Sequence, residues 1–148
     1  REAPRSSESP AELRAFREAL VIEHVEAENA HDLERVMRTF SRPRYDLRPS
    51  GRGIVEGDRA VREMQLASFA ACNGFVYVAD RFHHTDNAVI IEYRIRGRHE
   101  GTWGGIPPTM APLDCPAIAI FEFEGRELVS ELPYCNLALL EAQIREKR

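Results

Sequence analysis

Two alternating runs of apolar and polar residues, joined by a glycine-rich elbow, restrict what this chain can fold into more than any other feature. From Ala88 to Arg96, Val89, Ile91, Tyr93 and Ile95 fall on one face and Ile90, Glu92, Arg94 and Arg96 on the other, the period of a half-buried strand. Ala117 to Phe123 repeats the pattern. Between them lies Gly97-Arg98-His99-Glu100-Gly101-Thr102-Trp103-Gly104-Gly105-Ile106-Pro107-Pro108-Thr109. Its glycines permit close backbone approaches, and Pro107-Pro108 stiffens the exit. His99 and Trp103 are its only large reactive or aromatic groups. The elbow is either a wide hairpin whose Trp plugs the core, or the lining of a ligand pocket.

The remaining elements follow in chain order. Residues 1–10, rich in Ser, Pro and charge, read as a disordered tail, and 11–148 as one domain. From Ala11 the stripe Leu13, Phe16, Leu20, His24 and Ala27 predicts an amphipathic helix. Asn29-Ala30-His31-Asp32 then interrupts the pattern and offers an N-cap before a second short helix carrying Leu33, Val36, Met37 and Phe40. Pro43 to Gly57 holds turn formers and one extended piece at Tyr45-Asp46-Leu47. A third helix spans roughly Arg59 to Cys72, with Val61, Met64, Ala67, Ala71 and Cys72 inward. Strands are expected at Phe75 to His84, Ala88 to Glu100, Pro116 to Glu124 and Glu127 to Pro133, and a closing helix at Asn136 to Lys147. The sum is an α+β domain: a cone-shaped α+β barrel whose curved, mostly antiparallel sheet packs on N-terminal helices and leaves a cavity at its mouth.

With a net charge of -4 and arginines interleaved with acids, the chain lacks the basic stripe of a nucleic-acid binder. No apolar run reaches the ~20 residues of a membrane span. A soluble, cytoplasmic protein is expected. Cys72, Cys115 and Cys135 lack metal or redox spacing and read as buried free thiols. His83 and His84, adjacent on a strand, point to opposite faces. His24, Glu28 and His31 have i, i+4, i+7 spacing, but the helix is expected to break before His31, so no metal site is expected.

Glu28-Asn29-Ala30-His31-Asp32-Leu33 ahead of Phe40, Gly57 before the third helix and the Gly97–Thr109 elbow together resemble the SnoaL-like polyketide cyclases of the nuclear transport factor 2-like superfamily. The resemblance covers nearly all of 11–148. It implies ring-closing aldol chemistry without metal or organic cofactor, on a hydrophobic carbonyl-bearing small molecule, while other members of the superfamily are isomerases, dehydratases, epoxide hydrolases or binding domains. It also implies an acid/base Asp where the last strand meets the final helix, and Asn136 occupies that position. An amide cannot shuttle a proton, although it can hydrogen-bond an oxyanion or cap the helix.

The candidates for a replacement base are His24, His99 and Glu122, the last either a solvated strand residue or an acid with a raised pKa. Phe16, Leu20, Met64, Trp103 and Tyr134 are expected to line the cavity. A non-catalytic module that binds a small molecule or a protein in the same cone is the alternative. The outer sheet face carrying Ile90 and Ile118 is expected to pair two subunits in a homo-oligomer.

Overall fold

The structure, a computed structural model, describes residues 7–146. The helical part is set by its caps. Ser9 accepts a hydrogen bond from the Glu12 amide at 3.2 Å and its own amide donates back to the Glu12 carboxylate at 2.8 Å, with Pro10 in the first turn. This capping box starts α1 at Pro10, and the helix runs Pro10–Asn29. Within the stretch expected to be a tail, Ser9 is fixed as a cap and Glu8 is ion-paired with Arg126, while residues 1–6 lie outside the described residues. α2 (Leu33–Thr39) is capped by Asp32, and α3 spans Asp58–Ala71. α4 spans Leu137–Arg145, and the expected end at Lys147 lies outside the described residues.

The fully buried stripe of α1 is Arg17, Val21, His24 and Ala27; Leu20 packs against the core beside it, and Leu13 and Phe16 are only partly buried. Arg17 is the cause of the difference. Its guanidinium donates to the carbonyls of Gly125 (2.8 Å) and Asp86 (3.0 Å) and lies 5.3 Å from the Phe123 ring, so an aliphatic stem and a satisfied head can both be covered. Phe16 is displaced to the edge, under the Arg126 guanidinium at 4.1 Å.

Six strands form one curved, unclosed sheet in the order β2-β1-β6-β5-β4-β3, with β1 Arg44–Leu47, β2 Gly53–Glu56, β3 Phe75–His84, β4 Ala88–Arg98, β5 Pro112–Glu124 and β6 Glu127–Cys135. The pairings are antiparallel except β1 with β6, so the sheet is mixed. β2 was not expected, because four mostly exposed residues show no apolar alternation; it is held by pairing with β1. β5 also starts earlier and β6 ends later than the patterns of Pro116–Glu124 and Glu127–Pro133 suggest.

One irregularity governs the site. Glu122 pairs with Ser130 but Phe123 pairs with Leu128, leaving one extra residue in β6. The bulge resets the alternation, so Leu128 is buried on one side of it, and Glu131, paired with Phe121, is buried on the other. Without it the side chains of Ser130 and Leu132 would continue the inward face and Glu131 would point out.

The elbow is built on close approaches. Gly97 has φ 101°, and a Cβ there would sit 2.0 Å from the Gly74 carbonyl oxygen; a Cβ on Gly101 would sit 2.2 Å from that of Ala70, at the end of α3. Gly97→Ala is expected to destabilise the fold by about 3 kcal/mol or more, read as a lowered urea midpoint, because backbone on backbone cannot yield as a side chain does. A stability within about 0.5 kcal/mol of wild type would contradict this packing. Gly104 and Gly105, both left-handed, form the two-residue turn that closes Trp103 onto Ile106.

Candidate active site

α1, β1, α3 and β6 each send one polar side chain to the floor of a cavity of about 190 Å³ between the helices and the concave sheet face: Glu28, Tyr45, Gln65 and Glu131. His24 lies directly behind them, fully buried. The walls are largely apolar, with Met64, Phe75, Ile91, Trp103 and Phe121 among them. α1 places His24 and Glu28 one helical turn apart on one face, and the bulge in β6 brings Glu131 to meet them.

The hydrogen bonds fix the protons. Thr39 donates its hydroxyl to the Val36 carbonyl at 2.6 Å, so its oxygen accepts from His24 Nδ1–H at 2.8 Å. Nε2 then faces Glu28 Oε1 at 2.8 Å, Glu131 Oε1 at 3.3 Å and the Tyr45 hydroxyl at 3.0 Å. Burial pushes the imidazole pKa down, but the Glu28 charge and the hydrogen bonds to Glu131 and Glu28 outweigh it and raise the group to about 10. At neutral pH His24 is an imidazolium between two carboxylates.

Those carboxylates are not equivalent. Glu28 Oε1 is held by His24, by the Tyr45 hydroxyl at 3.0 Å and by Gln65 Nε2 at 3.2 Å. Burial pushes its pKa up, but the His24 charge and these hydrogen bonds carry it below the usual carboxylate range. Glu131 has His24 alone, at the longer distance. Burial and the neighbouring Glu28 charge raise it to about 7. One carboxylate is locked as an anion and the other exchanges its proton near neutrality, a division of labour suited to acid/base chemistry. Burial holds the Tyr45 phenol protonated, helped by both carboxylates.

His24, Glu28 and Glu131 also offer one ligand atom each within 4.8 Å of one another. A cation there would have to displace the proton that His24 Nε2 shares with the two carboxylates. Cys72 and Cys135 line the cavity, but burial raises their thiols to about 11 and about 12, which makes them wall and not nucleophile.

Of the residues expected at the site, Met64 and Trp103 line the cavity and His24 lies under its floor. The others are elsewhere. His99 is fully buried within the elbow: its Nδ1 accepts from the Thr109 amide at 3.0 Å, its Nε2 has no hydrogen-bond partner, and burial lowers its pKa. Thr109 in turn donates to the Ile144 carbonyl at 2.7 Å, so His99 pins the elbow to α4. Glu122 alternates with the inward-facing Phe121 and Phe123 and so points to the outer face of β5. Asn136 is exposed and caps α4 by accepting from the Leu139 amide at 3.1 Å. Tyr134 borders an outer groove with it. Phe16 and Leu20 are partly buried on α1 but do not reach the cavity. Sequence reasoning missed Tyr45, Gln65 and Glu131. A carboxylate within the mostly apolar Leu128–Pro133 run was the available clue to the last.

A curved sheet backed by helices, with two carboxylates at the floor of a largely apolar cavity and a histidine behind them, defines an α+β cone. The chain belongs to the SnoaL-like domain family, which matches residues 21–131. Among solved structures it is similar to a SnoaL-like polyketide cyclase from Jannaschia sp. CCS1, at 15% identity over 99% of this chain and 100% of that one, with a TM-score of 0.77. A polyketide cyclase from Xanthomonas campestris pv. campestris shares 20% identity over 89% of this chain and 98% of that one, with a TM-score of 0.74. The epoxide hydrolase/cyclase-like enzyme SalBIII, of pyran ring formation in the polyether salinomycin, shares 15% over 85% and 95%, with a TM-score of 0.69. At these identities the likeness is one of fold. Comparison with curated proteins by sequence gives no match. No helix among the described residues is long and apolar enough to cross a membrane.

Proposed function

We propose that this chain is an acid/base enzyme that moves a proton on a small hydrophobic carbonyl compound, in the manner of a cyclase, isomerase or dehydratase, with Glu131 as the base. The observation that carries this reading is the asymmetry of the two floor carboxylates: Glu28 Oε1 is held by three donors, whereas Glu131 makes one contact, 3.3 Å from the His24 imidazole. Glu131 takes a proton from the carbon next to the carbonyl. The C–H electron pair becomes the carbon–carbon double bond of an enolate, and the carbonyl electron pair moves onto oxygen. Return of the proton to a different carbon isomerises the compound; attack of the enolate carbon on a second carbonyl closes a ring. His24, Tyr45 and Gln65 fix the positions of the charges, and the chemistry calls on no organic cofactor. The fold shared with a polyketide cyclase and with SalBIII supports the reading.

The test is exchange of α-protons of cyclic ketones for deuterium, followed by proton NMR in heavy water. Exchange is expected to accelerate as Glu131 ionises through pH about 7 and to fall as His24 loses its proton near 10. Ligands that bind without exchange at any pH would leave the chain a binding module.

A further inference from the structure

The cavity has a polarity that the acid/base reading does not use. Its floor is anionic, with the side chains of Glu28 and Glu131 at 17% and 8% exposure. Its rim is not. Arg52 lines the cavity from the solvent side, between Gly51 (φ 78°) and Gly53 (φ 125°), in the turn that leads into β2. Among the described residues its guanidinium has no hydrogen bond or ion pair, while Arg48, four residues earlier, is closed onto Asp46 at 2.6 Å. The rim is completed by His31, which adopts φ 52° after the end of α1 and stacks flat on Phe69, with ring centroids 4.7 Å apart. That left-handed turn takes His31 away from the line of His24 and Glu28 and makes it part of an aromatic lip.

Building on the acid/base reading, we propose that the ligand is a carboxylic acid: a body of one or two rings bearing the reacting carbonyl, with a carboxylate that Arg52 receives at the rim. Charge sets the orientation, because an anionic group lowered to the floor would meet Glu28 and Glu131, while at the rim it meets the Arg52 guanidinium. A single guanidinium matches a carboxylate in a two-pronged hydrogen bond, and nothing else of fixed positive charge lines the cavity to balance a phosphate dianion. Volume sets the size: an apolar cavity of about 150 Å³ holds benzene, and this one is about 190 Å³.

The probes are 4-oxo-4-phenylbutanoate and its methyl ester, which differ in the carboxylate charge and share the ring and ketone. Quenching of Trp103, the single Trp and a lining residue, reads binding. The acid is expected to bind the full-length chain about tenfold more tightly than the ester, a margin that narrows as salt is raised. Arg52→Gln should bring the acid down to the ester's affinity and leave the ester unchanged, and Arg52→Lys should recover part of the difference. In the deuterium-exchange assay Arg52→Gln should raise KM for the acid with little change in kcat, since the guanidinium is remote from the exchanging carbon. Equal binding of acid and ester by the wild type, or equal weakening of both by Arg52→Gln, would overturn the assignment and leave the acid/base reading intact. Failure of both probes to bind would remove the cavity reading and this inference together. Tighter acid binding without exchange would uphold the carboxylate site and refute the catalytic role.

Discussion

Glu131→Gln is expected to reduce α-proton exchange by about 10²- to 10⁴-fold while ligand affinity changes little, since the amide keeps the shape of the acid but cannot take a proton. The variant should also lose the pH step near 7 that the wild type shows as Glu131 ionises. Stability gives an independent readout. The folded pKa of Glu131 lies above that of an exposed Glu, so the native state holds its proton more tightly than the unfolded chain does. This favours folding in acid and is lost as pH rises through about 7. A Gln at 131 resembles the protonated acid at every pH. The variant should therefore match the wild type at pH about 4 and be more stable than it by about 1–3 kcal/mol at pH about 8, by urea unfolding. A variant that exchanges α-protons at the wild-type rate would exclude Glu131 as the base.

The second large effect is expected from His24→Leu, which keeps most of the volume but removes the cation between Glu28 and Glu131. At pH about 7.5 the cost should be about 3–5 kcal/mol, the size of breaking a buried ion pair. Its pH dependence identifies the cause. The raised pKa of His24 means that its contribution is fully present below the unfolded value of 6.5 and is lost as pH rises through about 10. The lowered pKa of Glu28 means that its contribution is present above the ordinary Glu value and is lost as pH falls through the depressed one. The difference between wild type and variant should be widest between pH about 4.5 and 6.5 and narrow towards both ends. A difference of the same size from pH about 4 to about 10 would point to lost packing around Phe40 and Phe121, which meet the His24 ring edge-on at 5.3 Å, and not to lost charge.

Local pattern was enough for the outline of this protein. Alternation in Val89–Ile95 and Ala117–Phe123 defines the central strands and which face of them is inner. The helices follow from apolar spacing and from Asp32, Gly57 and Asn136 at their starts, because caps and periodicity act within a few residues of chain. Elbow, fold and the inward orientation of His24 were legible for the same reason, as was the SnoaL-like resemblance. The site was not, because it is made between elements. Glu131 faces the cavity only because a bulge opposite Glu122 and Phe123 shifts the phase of β6, and a bulge is a property of two paired strands that neither sequence announces. Gln65 reads as a polar position on the flank of α3 until Tyr45 arrives from β1 with a hydroxyl 2.6 Å away. His99 has every attribute of a catalytic residue in sequence, yet the Thr109 amide and the approach of Gly101 to α3 close it inside the elbow. His24 carries its proton only because two carboxylates from α1 and β6 converge on it, and that electrostatic fact belongs to the tertiary structure alone.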